Sequence, residues 1–230
     1  MSTATAAPSD RSALEAETRR LLALDSLLEG DAAARAVAEL QAVADSATAP
    51  DVRVPALLRL GLLKLRLYAW DPSEAVRAGR PDDYFFNEIA GSWLYQGLEL
   101  RELVERHPDH VLADDAAYAA TGLPLGGECE GWVPCYLYAG TGRLVDFLEA
   151  YPTSDLALAA VEAINLGYET ALADHPDLTV ATDLYDPVEV RAALERYQAA
   201  AHRLEEPARA PALAAIARLW RRFGVGGGAP

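Results

Sequence analysis

Apolar residues recur along most of this chain at the three- and four-residue intervals of an amphipathic helix. Residues 10–29 carry Leu14, Leu21, Leu22, Leu24, Leu27 and Leu28 at near-helical spacing. Gly30 is placed to end that helix and Asp31 to cap the next, which the pattern carries to about Thr48. Pro50 and Asp51 punctuate before a third helix. Its core, VPALLRLGLLKLRLYAW at 54–70, is apolar on nearly every side, the pattern of a helix buried at the centre of a domain. Arg59, Lys64 and Arg66 inside that window argue against a membrane span. The tight turns between these helices predict antiparallel neighbours. A long helix is expected from Asp82 to about Arg106, with Gly91 and Gly97 inside it. A glycine costs roughly 1 kcal/mol in a helix interior, so each should mark close packing or a bend. Further helices are expected over 153–174, 187–204 and 208–223, with GVGGGAP at 224–230 as a flexible tail and 1–9 as a disordered start.

Two segments share a helix-initiation pattern. WDPSEAV at 70–76 and YDPVEVR at 185–191 place Asp71 and Asp186 to cap, Pro72 and Pro187 at the first helical position, and Glu74 and Glu189 at the third. A longer self-match lies between them. LRELVERHPDHVLADDAAYAA at 100–120 falls on LVDFLEAYPTSDLALAAVEAI at 144–164 without a gap, an offset of 44 residues. Leu103 meets Phe147, His107 meets Tyr151, Pro108 meets Pro152 and Leu112 meets Leu156. Ala113, Ala116 and Ala119 meet Ala157, Ala160 and Ala163. The shared pattern is a helix, a flat side chain and proline, a polar turn, then a helix with small residues on one face. Proline stops the first helix, and small residues let helices approach closely.

HPDHVLADDAAYAA and YPTSDLALAAVEAI resemble the turn and second helix of tetratricopeptide-type repeats, nearest to those of bacterial envelope assembly lipoproteins and cell-division coordinators. The likeness covers about residues 84–174. The 44-residue spacing exceeds the ~34 of the standard repeat, and the Trp-Leu-Gly signature is missing. Either the helices are long or the segment around 122–131 is an insertion. The fold class expected is therefore all-α, helical hairpins stacked as a short tetratricopeptide-like solenoid, in one domain over 10–223 with a cysteine loop inserted at 121–142. The resemblance implies a surface that binds a protein or peptide.

Charge and chemistry narrow this further. A net charge of −15 and a pI near 4.6 argue against a nucleic-acid partner and against docking on anionic lipid. The start of the chain, MSTATAAPSDRSALEAE, carries no signal-like apolar run, which points to the cytoplasm; a trimmed signal would instead leave a periplasmic protein looking the same. No nucleophile elbow, zinc-protease helix or phosphate loop is present, so no catalytic residue and no cofactor is assigned. His110 and Asp114 are four residues apart and would share a helix face, but their counterparts are Ser154 and Leu158, so no metal site is expected. The loop TGLPLGGECEGWVPCYLYAGTG holds Cys129 and Cys135, five residues between them. Free thiols, a disulfide, or a metal shared with Glu128, Glu130 or a histidine all fit that spacing. Trp132, Tyr136 and Tyr138 beside the loop, Trp93, and Trp220 with Arg221 on the basic last helix are the candidate partner-binding residues. The expectation is a non-catalytic scaffold or adaptor. The rivals are an all-α enzyme or ligand-binding bundle using the cysteine loop, and a homo-oligomeric subunit with the aromatics at 84–95 as its seam.

Overall fold

The computed structural model describes residues 31–69, 72–74, 77, 81–125, 133–174 and 187–224. The expected helix over 10–29, Trp70, Asp71, Cys129, Trp132 and the 225–230 tail lie outside the described residues. What is described is mostly helical. The chain falls into two compact units, residues 1–126 and 127–230, whose boundary lies within the 121–142 segment.

The first unit is built around one helix. Helix α1 (Asp31–Ser46) leads into α2 (Pro50–Leu67), with proline at its first position and Asp51 in its first turn. Val54, Ala56, Leu57, Leu58, Leu60 and Leu63 of α2 are all buried, as its all-round apolar pattern requires. Helix α2 packs against α1 and also against α3 (Leu98–Arg106) and α4 (Ala113–Ala120).

The expected long helix from Asp82 to Arg106 is not there. A short 3-10 turn (Pro81–Asp83) is followed by an antiparallel hairpin, β1 (Tyr84–Asn87) and β2 (Ser92–Tyr95), and only then by α3. The register pairs Tyr84 with Tyr95, Phe85 with Leu94, Phe86 with Trp93 and Asn87 with Ser92. Asn87 Oδ1 accepts the Ala90 N–H at 2.8 Å, which closes the turn. Gly91 and Gly97 have φ of 64° and 71°, a left-handed backbone that no right-handed helix can contain. These glycines are therefore a hairpin turn and the entry to α3, not bends in a helix.

The second unit is two helical hairpins. Helix α5 (Val133–Ala150) pairs with α6 (Ala157–Asp174), and α7 (Pro187–Arg203) pairs with α8 (Arg209–Phe223). Helix α5 lies against α7, and α6 against α8. Residues 133–142, expected within a loop, are helical. Pro134 sits in the first turn, where a proline costs no hydrogen bond, and the apolar run after it outweighs Gly140 and Gly142. The core contains Phe147, Leu148, Val161, Ile164, Tyr168, Leu194, Tyr197, Ile216 and Phe223. The Tyr168 and Phe223 rings meet edge-on at 6.2 Å.

The 44-residue match has the same hydrogen bonds at both places. His107 N–H donates to Leu103 C=O at 2.9 Å and Tyr151 N–H to Phe147 C=O at 2.8 Å. Ala113 N–H reaches His110 C=O at 2.9 Å, and Ala157 N–H reaches Ser154 C=O at 3.1 Å. The side chains act alike as well. His110 Nδ1 accepts the Leu112 N–H, and Ser154 Oγ accepts the Leu156 N–H, each at 3.1 Å. Burial, with His107 nearby, lowers the His110 pKa against the opposing charge of Asp51, in keeping with a neutral ring whose nitrogen accepts. The histidine is thus the local cap of a turn that serine makes in the other copy.

Ala116 and Ala160 have no exposed surface. Ala116→Trp or Ala160→Trp should overpack its helix contact and destabilise the protein by about 1–3 kcal/mol. Thermal melting checks this, and an unchanged melting temperature in both variants would mean that these positions are not helix contacts.

Candidate functional site

Among the described residues, the strongest concentration of buried polar groups is in the first unit. The α2 helix carries Lys64 on its buried face, the 3-10 turn ends in Asp83, and the first turn of α3 holds Glu99. A Cβ at Gly61 would lie 2.6 Å from Leu100 Cδ2, so only glycine allows α2 and α3 this close. One turn further along α2, Lys64 Nζ then donates to both Asp83 Oδ2 and Glu99 Oε1, and to Gln41 Oε1 of α1 at 3.4 Å. Tyr95 Oη donates to the other Glu99 oxygen at 2.6 Å. Lys64, Asp83, Glu99 and Tyr95 are at most 2% exposed.

One ammonium faces two carboxylates, so the cluster carries an excess negative charge unless it keeps a proton. The two acids divide that burden. Burial raises the Asp83 pKa, with Glu99 adding to it and Lys64 opposing, to about 6 from its ordinary 3.8. Burial alone would raise Glu99 too, but the Lys64 charge and the hydrogen bonds from Lys64 and Tyr95 outweigh it and hold Glu99 below its ordinary value. Burial and the nearby carboxylates push Tyr95 and Tyr84 well above the ordinary phenol range. The Asp83 Oδ1 and Tyr84 Oη atoms are buried with no hydrogen-bond partner among the described residues. A separated acid pair can mark a catalytic site. Here the ammonium and both carboxylates are sealed from solvent, an arrangement that pins three elements together.

The hairpin's outer part is different. Tyr84 and Tyr95, at its base, meet with tilted rings at 5.7 Å and pack on Leu65, Tyr68 and Leu123. Towards its turn, Phe85, Phe86 and Ile89 are 37%, 49% and 61% exposed. Phe86 meets Trp93 edge-on at 5.5 Å, and the Arg77 guanidinium lies 4.4 Å from the Trp93 ring centroid. Trp93, a candidate from sequence, is therefore partly covered by a cation; it and the more exposed Phe85 and Phe86, expected on one helix as a possible oligomer seam, lie instead on two strands. The signal that could have found them is two short aromatic runs, YFFN and SWLY, separated by four residues ending in glycine.

Comparison with protein-family models, with curated proteins and with solved structures found no match to this chain.

The remaining candidates do not converge on one site. Trp220 donates its indole N–H to Gln198 Oε1 of α7 at 3.1 Å and is half-buried, so it ties the second hairpin together; Arg221 beside it is exposed. Tyr138 is half-buried on α5. Tyr136 and Cys135 fall on the first turns of α5 with side chains outside the described residues, as are Trp132 and Cys129 entirely, so the cysteine alternatives lie outside the description too. Asp114 and Asp115 stand in the first turn of α4, where a helix dipole favours acids. Among the described residues no group of three His, Cys, Asp or Glu is arranged to hold a metal ion, and no helix is long and apolar enough to cross a membrane.

Removing the cation should be costly. Lys64→Met leaves two buried carboxylates unpaired and should destabilise the protein by about 3–5 kcal/mol, read by chemical denaturation; a loss within the range of an ordinary surface substitution would show that the pin carries little.

The pH dependence follows from Asp83. Its raised value means that the folded protein holds this proton more tightly than the unfolded chain does. That contribution is fully present below the ordinary 3.8 and is lost as pH rises through about 6. Asp83→Asn keeps a neutral group there at every pH. The stability of the wild type relative to Asp83→Asn should therefore fall as pH rises from about 4 to 7. A difference that stays level across that range, in paired thermal melts, would contradict the assignment.

Proposed function

We propose that this chain is a non-catalytic scaffold or adaptor that binds a protein or peptide. The observation that carries the reading is the outer part of the hairpin, where Phe86 and Ile89, with Phe85 on the opposite face of the strand, stand partly in solvent on an element pinned at its base by buried ion pairs. Large apolar side chains held out by a rigid support are what anchors an interface core. The tetratricopeptide-like turns at 107–112 and 151–156 support the same reading, since stacked helical hairpins are used for partner recognition. The net charge of −15 favours a neutral or basic partner surface around this anchor.

The same exposed side chains favour a second reading, an oligomeric subunit in which another copy covers the hairpin. Light scattering of the purified chain across a wide concentration range separates the two: a mass that stays at one chain argues for the adaptor.

The experiment that tests the adaptor uses the full chain as bait in lysate of its source cell, followed by direct binding to each purified candidate. Phe86→Asp with Ile89→Asp should leave the melting temperature near that of the parent, because both side chains are exposed, and should weaken the direct complex by about tenfold or more. Complexes of unchanged affinity would remove the hairpin from the interface and, with it, the basis of this reading.

A further inference from the structure

A second surface lies in the unit spanning 127–230. On α6, Glu169, Leu172 and Ala173 share one face; on α8, Ala215, Arg218, Leu219 and Arg222 share another, and the two faces line an open cleft of about 380 Å³. Its floor is apolar, formed by buried Ala215 and Leu219 with half-buried Leu172 and exposed Ala173. Its rim is charged. Arg218 Nη2 stands 3.5 Å from Glu169 Oε1, both more than half exposed, and Arg222 is exposed further along α8. Leu166, 64% exposed and about one turn before Glu169, extends the apolar surface along α6.

The charge of α8 is opposite to that of the whole chain. Its sequence, RAPALAAIARLWRRF, has four arginines and no acid, in a protein of net charge −15. The helix dipole accounts for Arg221 and Arg222 in the last turn. It does not account for Arg218, which lies more than a turn from the helix end and faces the cleft, because the dipole's effect falls off within the last turn. An apolar floor between two helices, with guanidinium groups along one wall, is the complement of a helix that is apolar on one face and acidic beside it.

We propose that the cleft between α6 and α8 binds an acidic amphipathic helix of a partner protein, its apolar side chains over Leu172, Ala215 and Leu219 and its carboxylates against Arg218 and Arg222. This assignment rests on the protein-binding reading above and names, for a different surface, the chemistry of what docks.

The test is fluorescence anisotropy with the full chain and a fluorescein-labelled synthetic peptide carrying leucines on one helical face and glutamates on the other. Saturable binding that weakens as salt is raised is expected. Ala173→Trp, which fills the cleft from an exposed position, and Arg218→Glu with Arg222→Glu, which reverses its wall, should each lower the affinity by about tenfold or more while the circular-dichroism melt stays near that of the parent. The charge-reversed protein should prefer a peptide with lysines in place of the glutamates. Phe86→Asp with Ile89→Asp should bind the glutamate peptide like the parent. The proposal is overturned if the glutamate peptide does not saturate, if a scrambled or lysine peptide binds the parent equally well, if Ala173→Trp changes nothing, or if decanoate displaces the peptide completely at equal concentration, which would mark a small-molecule pocket. Loss of peptide binding alongside hairpin-dependent partner capture sinks the cleft and leaves the adaptor reading standing.

Discussion

A single ammonium group, that of Lys64, lies out of water between carboxylates supplied by a 3-10 turn and by the first turn of α3. An ion so placed is tolerable only when its partners are close and its hydrogen bonds are made. That constraint fixes much of the first unit. Helix α2 must approach α3 closely, which Gly61 allows; α1 must bring Gln41 within reach; and the hairpin must arrive with Tyr95 beside Glu99. Backbone contacts add to the hold, with Tyr95 N–H on Ala69 C=O at 3.1 Å and Gln96 N–H on Asp83 C=O at 2.8 Å. Replacing the cluster by apolar residues of similar volume could match its stability, but it would not specify which strand residue meets which helix.

The consequence for function is a division of labour along one hairpin. Its base is fixed by buried polar contacts and a tilted tyrosine pair, while Phe85, Phe86 and Ile89 stay partly in solvent towards its turn. A two-stranded hairpin alone is marginal in water, so those apolar side chains owe their presentation to the buried base. The cluster itself is sealed, which separates the proton chemistry of Asp83 and Glu99 from any surface event.

In the second unit the ion pairs sit around the core rather than within it, and the polar groups inside, among the described residues, are tyrosine hydroxyls and Thr141. Arg196 of α7 reaches Asp146 and Glu149 of α5, Tyr197 Oη donates to Asn165 Oδ1 of α6 at 3.2 Å, and Trp220 reaches Gln198. The exposed ion pairs contribute little individually. The packing is set instead by small residues such as Ala157, Ala160, Ala212 and Ala215, which let the helices come together. Where α6 and α8 part, the cleft with its arginine wall remains.

Local pattern alone determined the helices that end in proline or glycine and bury one face. Expected spans 31–48, 187–204 and 208–223 compare with Asp31–Ser46, Pro187–Arg203 and Arg209–Phe223. The 44-residue match located both turns, because backbone capping there needs only an acceptor two residues back, which His110 and Ser154 both supply. The central position of α2 was legible from its all-round apolar run. Lys64, within that run, read only as a charge unfit for a membrane, since its partners come from 19 and 35 residues further along the chain. Tertiary structure alone decided those pairings, whereas the fate of 84–95 was legible only in part. Aromatic residues satisfy helix and strand periods equally over four positions. The choice fell to strand because left-handed Gly91 and Gly97 break any helix there and because Tyr84 and Tyr95 find a buried surface together. The exposure of Phe86 and Ile89, and the cleft between α6 and α8, are likewise properties of assembled faces, which no single segment contains.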